Sequence, residues 1–212
     1  LAQTLPGNIT QAYVAREATE DLQLTIATRQ RAAVETAGAG IGLAQTLLMV
    51  DANGAYRGMQ EYRVDNKTEQ FLEIELPEGA QLWTVFVAGE AVKPTEVPNS
   101  ATGGRVRVPL IKTQTGDLDY SVKLTYGGDL RRLRSLRHVR FPLMKTININ
   151  VQQSHVRLRL PESQRWFNFA GSMRQVTDVG ELAADYVSYQ TKQVQRLMQV
   201  INSDAYDAFS RV

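Results

Sequence analysis

Arg131, Arg132, Arg134, Arg137 and Arg140 fall within ten residues, with His138 among them. Guanidinium groups at that density can hold phosphate or acidic lipid, because each is permanently charged and offers a fork of donors. Leu130, Leu133, Leu136 and Val139 recur every third residue between them. That interleaving suits a partly packed connector whose arginines sit in water or pair with acidic strands. The five arginines are therefore candidates for an anionic partner, with the solvated connector as the plainer reading.

Other reactive types are sparse. Glu73 and Glu75 share one side of an alternating run, and paired carboxylates can do acid–base work. On a wet strand face such pairs more often meet a cation, here expected to be Arg157, Arg159 or Lys123. The two histidines, His138 and His155, have no second ligand at metal-binding spacing. Asp51, Asp117 and Asp119 could offer oxygen to calcium, but no loop carries the acidic density this needs. Gly38, Gly40 and Gly42 miss the spacing of a dinucleotide loop and read instead as a bend. With no cysteine there is no thiolate, disulfide or cysteine nucleophile, and no serine lies in a nucleophile elbow. Asn8-Ile9-Thr10 and Asn66-Lys67-Thr68 match the glycosylation triplet, a pattern common by chance. Trp166, Tyr56 and Tyr62 are candidates for a carbohydrate platform, whereas Trp83, in phase with Val85 and Val87, reads as core. No catalytic residue, metal or cofactor is expected, and the chain reads as a non-enzyme.

The elements that must position these residues are mostly strands. The 212 residues are 43% hydrophobic and 22% charged, as in folded domains, and the net charge of +2 creates no field for nucleic acid. No apolar run reaches the roughly 18 residues of a membrane span. The central stretch runs from Gln70 to Gly89. Leu72, Ile74 and Leu76 alternate with Glu73 and Glu75, Pro77-Glu78-Gly79 makes a turn, and Leu82 to Val87 resumes in strand-forming residues. The pattern predicts two antiparallel strands paired in the middle of a sheet. Leu22 to Ala27 alternates as a first strand, and Leu43 to Val50 is a strand or a helical turn. Asn53-Gly54 predicts a type I′ hairpin into Tyr56, Gly58, Gln60, Tyr62 and Val64, one face of the returning strand. Val106, Val108 and Leu110 form the inner side of a further strand, and Tyr120, Val122, Leu124 and Tyr126 that of another. Ile147, Ile149 and Val151 alternate, as do Val156, Leu158 and Leu160. Leu76-Pro77-Glu78 and Leu160-Pro161-Glu162 each precede an aromatic stretch ending in Ala-Gly. This echo suggests a duplicated unit or the start of a second module.

From Thr177 the period changes. Asp178 can cap a helix, with Glu181 as its capping-box partner. Leu182, Tyr186, Tyr189, Val194, Leu197, Met198 and Ile201 make an apolar stripe, and Asn202-Ser203-Asp204 predicts a break. The helix packs on the sheets or, given its glutamine-rich polar side, meets a partner helix.

Glu61-Tyr62-Arg63-Val64-Asp65-Asn66-Lys67-Thr68-Glu69-Gln70-Phe71-Leu72, then Leu76-Pro77-Glu78-Gly79-Ala80, Leu82-Trp83 and Val87-Ala88-Gly89, resembles a pattern in large uncharacterised envelope proteins of planctomycetes and similar bacteria. Phe141-Pro142-Leu143 and Arg157 to Glu162 are similar to the later part of that pattern. The resemblance implies exported β-sandwich modules in long, membrane-anchored chains, hence a periplasmic or extracellular location. It brings no catalytic residue and does not include the arginine run. Because Leu1 stands first, a segment of a longer chain is expected.

The expected fold is all-β: an N-terminal arm over 1–20, an antiparallel β-sandwich over 21–130, an arginine-rich connector with further strands over 131–176, and an amphipathic helix over 177–212. The strands after 131 either complete the first sandwich or open a second. The expected role is a structural or protein-interaction segment of an envelope protein, its partners being neighbouring domains or a protein met through the helix. A carbohydrate-binding module is the alternative.

Overall fold

The computed structural model describes residues 38–97, 104–114, 117–130, 138–176 and 178–209. The expected strand over Leu22 to Ala27 and the Asn8 triplet lie outside them. The described chain forms β1 (Ala39–Val50), β2 (Ala55–Asn66), β3 (Phe71–Glu75), β4 (Gln81–Val87), β5 (Glu90–Ala91), β6 (Thr95–Val97), β7 (Arg105–Pro109), β8 (Tyr120–Asp129), β9 (Lys145–Thr146), β10 (Val151–Arg159) and α1 (Val179–Phe209). One sheet has the order β10-β1-β2-β8-β4-β5 and a second the order β6-β7-β3-β9.

The two sheets share one core, as period-2 burial requires. Ile41, Leu48, Val64, Val87, Val122 and Leu124 of the larger sheet cluster with Leu72, Ile74, Val106 and Val108 of the smaller. The inward phases read from β7 and β8 hold, and the single face read on β2 is its buried one. The wholly antiparallel sandwich does not: β1 pairs with β10 in parallel, from Ile41 opposite Val151 to Met49 opposite Arg159, so the larger sheet is mixed. Alternation assigns faces but carries no information on a neighbour's direction. Because β10 lies beside β1, the strands after residue 131 complete this layered body.

Local expectations are corrected in the same way. Of the glycine run, Gly40 and Gly42 lie inside β1 instead of a bend, and Gly38, in the turn just before it, packs so closely on Thr68 that a Cβ would lie 1.5 Å from its Oγ1. The β1–β2 hairpin forms, but only Gly54 has positive φ (96°), and Gly54 N–H donates to Asp51 O at 3.0 Å. The loop is thus one residue longer than type I′, the three-residue form closed by a left-handed glycine. The central stretch is not a hairpin either. β3 and β4 belong to different sheets, and Pro77 to Ala80 is a type II turn, with Gly79 at φ 73°, that carries the chain across the core. Ile147 to Ile149 is likewise a crossover between β9 and β10, so Ile149 is buried and Ile147 is not. Trp83 is 48% exposed, because β4 shifts register between Leu82 and Thr84. The bulge sends Leu82 toward the core and lays the indole over Gly127, with the Arg57 guanidinium 5.3 Å above the ring.

The second Leu-Pro-Glu leads to no strand. Residues 165–170 are irregular, which ends the apparent echo. Asp178 does cap α1, its Oδ1 accepting from Gly180 N–H at 2.8 Å. Glu181 pairs with Arg174 instead of closing the box, and α1 continues through 202–204 to Phe209.

Candidate functional site

The densest polar constellation among the described residues lies where α1 meets the outer face of the larger sheet. Its geometry begins with a glycine. Register shifts in β1 between Ile41 and Leu43, leaving Gly42 at an irregularity. A Cβ there would come within 2.7 Å of the Tyr189 ring, so the absent side chain is what lets α1 approach. Leu43, fully buried, lies in β1 beside this contact and opposite Arg63.

The Tyr189 hydroxyl donates to Asp119 Oδ2. Asp119 Oδ1 accepts from Arg63 Nε at 2.9 Å, and Arg63 Nη2 lies 2.6 Å from the same oxygen. The Asp119 side chain is only 4% exposed, and its two oxygens are engaged by a guanidinium and a phenol. Two turns along α1, Arg196 Nη2 lies 2.6 Å from Asp65 Oδ2. Asp65 also accepts from Thr113 Oγ1 at 2.9 Å. Near the helix start, Asp185 lies 3.7 Å from His155 Nε2, and the same nitrogen is 3.0 Å from Gln153 Nε2. The helix is fastened to β1, β2, β10 and Asp119, the residue just before β8, by one seam.

This arrangement fastens α1 to the sheet. A tyrosine acting as base or nucleophile needs its proton loosened. Burial, the hydrogen bond to Asp119 and the carboxylate charge instead push the Tyr189 phenol well above its ordinary value.

Among the described residues, those singled out in the sequence are not brought together into one site. Arg131, Arg132, Arg134 and Arg137 lie outside the described residues, and Arg140 is exposed. Tyr56 and Tyr62 are core residues, 5% and 3% exposed, which corrects their candidacy as a sugar platform. They lie on the inward phase of β2, and period 2 does not say which phase is wet. Trp166 is half-buried, its Nε1–H donating to Pro161 O at 3.2 Å and its ring 5.9 Å from Phe141. Glu73 pairs with Arg107 directly opposite on β7, at 2.7 Å, and not with Arg157, Arg159 or Lys123. A shallow groove between Gln70, Phe71, Arg107 and Asn148 includes this pair. Its Asn148 amide bridges to β3, accepting from Glu73 N–H and donating to Phe71 O. Asn66 is fully buried with its amide donating to Glu69 O and Ile111 O, so the folded chain offers no glycan acceptor there. Asp117 accepts from Gln114 N–H and Asp119 serves Arg63 and Tyr189. No group of three or more His, Asp or Glu among the described residues is placed to hold a metal.

Sequence reasoning missed Gly42, Arg63, Asp65 and the true role of Asp119. The one available signal was the seven-residue spacing of Tyr189 and Arg196, which puts both on one helix face.

No family model matches the chain, and no curated protein does. Among solved structures, an M1 zinc metallopeptidase from Deinococcus radiodurans is similar at TM-score 0.33 and 18% identity, over 43% of this chain and 21% of that one. Native leukotriene A4 hydrolase from Saccharomyces cerevisiae is similar at TM-score 0.35 and 9% identity, over 44% and 15%. The matched part spans about a fifth or less of these enzymes, and likeness this slight carries neither their family nor their reaction to this chain. No helix among the described residues is long and apolar enough to cross a membrane.

Proposed function

We propose that this chain is a non-enzymatic structural and interaction module of a larger bacterial envelope protein, working outside the cytoplasm. Its task is to hold α1 rigidly against a layered sheet body and present the helix's outer side to a partner. The observation that supports this most is the engagement of Asp119. The most buried carboxylate of the seam is engaged at both oxygens, by Arg63 and by Tyr189. The resemblance of residues 61–89 to envelope proteins supports the compartment.

The test is a panel of chromogenic peptide, ester and glycoside substrates with the wild-type chain and Asp119→Asn. No turnover is expected from either. Turnover by the wild type that Asp119→Asn abolishes without unfolding would overturn the reading. Fractionation of cells making the parent protein is expected to place it in the periplasm or outside the cell.

A second reading, carbohydrate binding, retains one supporting feature. Phe167 is 71% exposed beside the Trp166–Phe141–Phe169 cluster, in which Phe141 and Phe169 stack at 6.4 Å. Polysaccharide binding lost in Trp166→Ala, with the fold intact, would favour it over the leading proposal.

A further inference from the structure

We infer that α1 pairs with the α1 of a second copy of this chain, through a coiled-coil seam on the side turned away from the sheet. This rests on the interaction reading above and names its partner.

The outer side of the helix has a strict spacing. Ala184, Val187, Thr191, Val194, Met198 and Ile201 succeed one another at intervals of three, four, three, four and three residues. That is the alternation of a and d positions in a heptad repeat, with Ala184, Thr191 and Met198 at a and Val187, Val194 and Ile201 at d. The seam runs from Ala184 to Ile201 with six such positions. A period of 3.5 residues differs from the 3.6 of a helix lying on a globular core, and it is the spacing that lets two helices keep one edge in contact.

Exposure separates this edge from the docked one. Val194, Met198 and Ile201 are 50%, 59% and 64% exposed, while Tyr189 and Arg196, which fasten α1 to the sheet, occupy the opposite f position of the same heptads. Pairing therefore needs no undocking. It also avoids the usual weakness of a short coiled coil, because each helix is already formed and anchored on its own sheet before the two meet.

The flanks point to a second copy and not to a different helix. Coiled coils that select an unlike partner do so with opposed charges at e and g. Between residues 183 and 202 those positions carry no charge, and the polar ones are Ser188, Gln190, Gln195 and Asn202. Nothing there repels an identical strand, and two amide-lined edges can hydrogen-bond to each other. The charged Lys192 and Asp185 sit at b, clear of the seam.

The experiment is sedimentation equilibrium of the full 212-residue chain across the micromolar range, with Val194→Asp and Met198→Asp beside it and helix content read by circular dichroism. The wild type is expected to associate as a dimer or a larger symmetric assembly. Either variant should weaken association by more than about tenfold at unchanged helicity, since each puts a charge into the dry seam of every copy. Should an aspartate variant lose helix content, Val194→Cys supplies an independent reading. The chain has no other cysteine, so an oxidised covalent dimer that Gln199→Cys, at b, fails to form reports contact at the seam. A wild-type chain that stays monomeric throughout, or association indifferent to both aspartates, would overturn the pairing. Neither result would produce enzymatic turnover, so failure here is distinct from failure of the non-enzymatic reading.

Discussion

Tyr189 shows how a single hydroxyl can decide where a helix sits. Its proton bridges to a carboxylate that Arg63 already neutralises, and burial together with that bond raises its pKa above 10.0. A group whose pKa is raised on folding contributes its full stability below the unfolded value and loses it as pH climbs through the folded one. The Tyr189 contribution to the docking of α1 should therefore be constant up to about pH 10 and weaken above it. Tyr189→Phe should cost roughly 1 kcal/mol at neutral pH. Its melting midpoint should also converge on that of the wild type as pH rises beyond about 10, because the lost interaction is then absent from both. A constant gap between the two melting curves would mean that the hydroxyl plays no part. Gly42 is the complementary residue. Gly42→Ala places a methyl where the Tyr189 ring now lies and should cost roughly 1–3 kcal/mol. Hydrogen exchange should quicken along α1 while the strands around Val108 and Leu124 stay protected. Uniform loss of protection would argue against a local docking role.

At the scale of elements, turns and irregularities decide what the strands do. Ala88 and Gly89 link β4 to β5 with φ of 51° and 91°, the two positive angles of a type I′ turn. A β-carbon is poorly tolerated in the left-handed region, so Ala88 carries a local cost of about 1 kcal/mol. Ala88→Asn and Ala88→Gly should each raise stability, by up to about 1 kcal/mol, read as a higher denaturation midpoint at unchanged slope. Elsewhere the same kind of detail redirected residues whose types were easy to read. One bulge turned Trp83 outward onto Gly127, and one extra loop residue at Asn53-Gly54 moved the register by one, setting Val50 opposite Tyr56 where a type I′ turn would set it opposite Arg57.

For the whole molecule, the parallel β10 is the decisive feature. It covers the outer edge of β1, whose backbone groups from Ile41 to Met49 would otherwise face solvent, and it supplies His155 to the seam. A chain truncated after residue 130 therefore loses β9, β10 and α1 together. It should be insoluble or lack cooperative unfolding, whereas the full chain should melt in one transition. A soluble, cooperatively folding 1–130 fragment would show that the first strands need nothing from the later ones.

Much of the architecture was legible in residue order, and the reason is local. The alternation of Val106 and Val108 and of Val122 and Leu124 with polar residues fixes which side of each strand is oily, whatever its neighbours, while on β2 it shows only that Tyr62 and Val64 share a side. Asp178 marks a helix start because its carboxylate serves the next amides in the chain. Which strand lies beside which, and in what direction, was settled only in three dimensions. Leu76-Pro77-Glu78-Gly79 reads equally as a hairpin or as a passage between sheets, because the turn is the same and only distant pairing differs. The seam was hidden for the same reason. Arg63 and Tyr189 stand 56 and 70 residues from Asp119, and no periodicity connects side chains whose meeting depends on the packing of a helix over a missing β-carbon at Gly42.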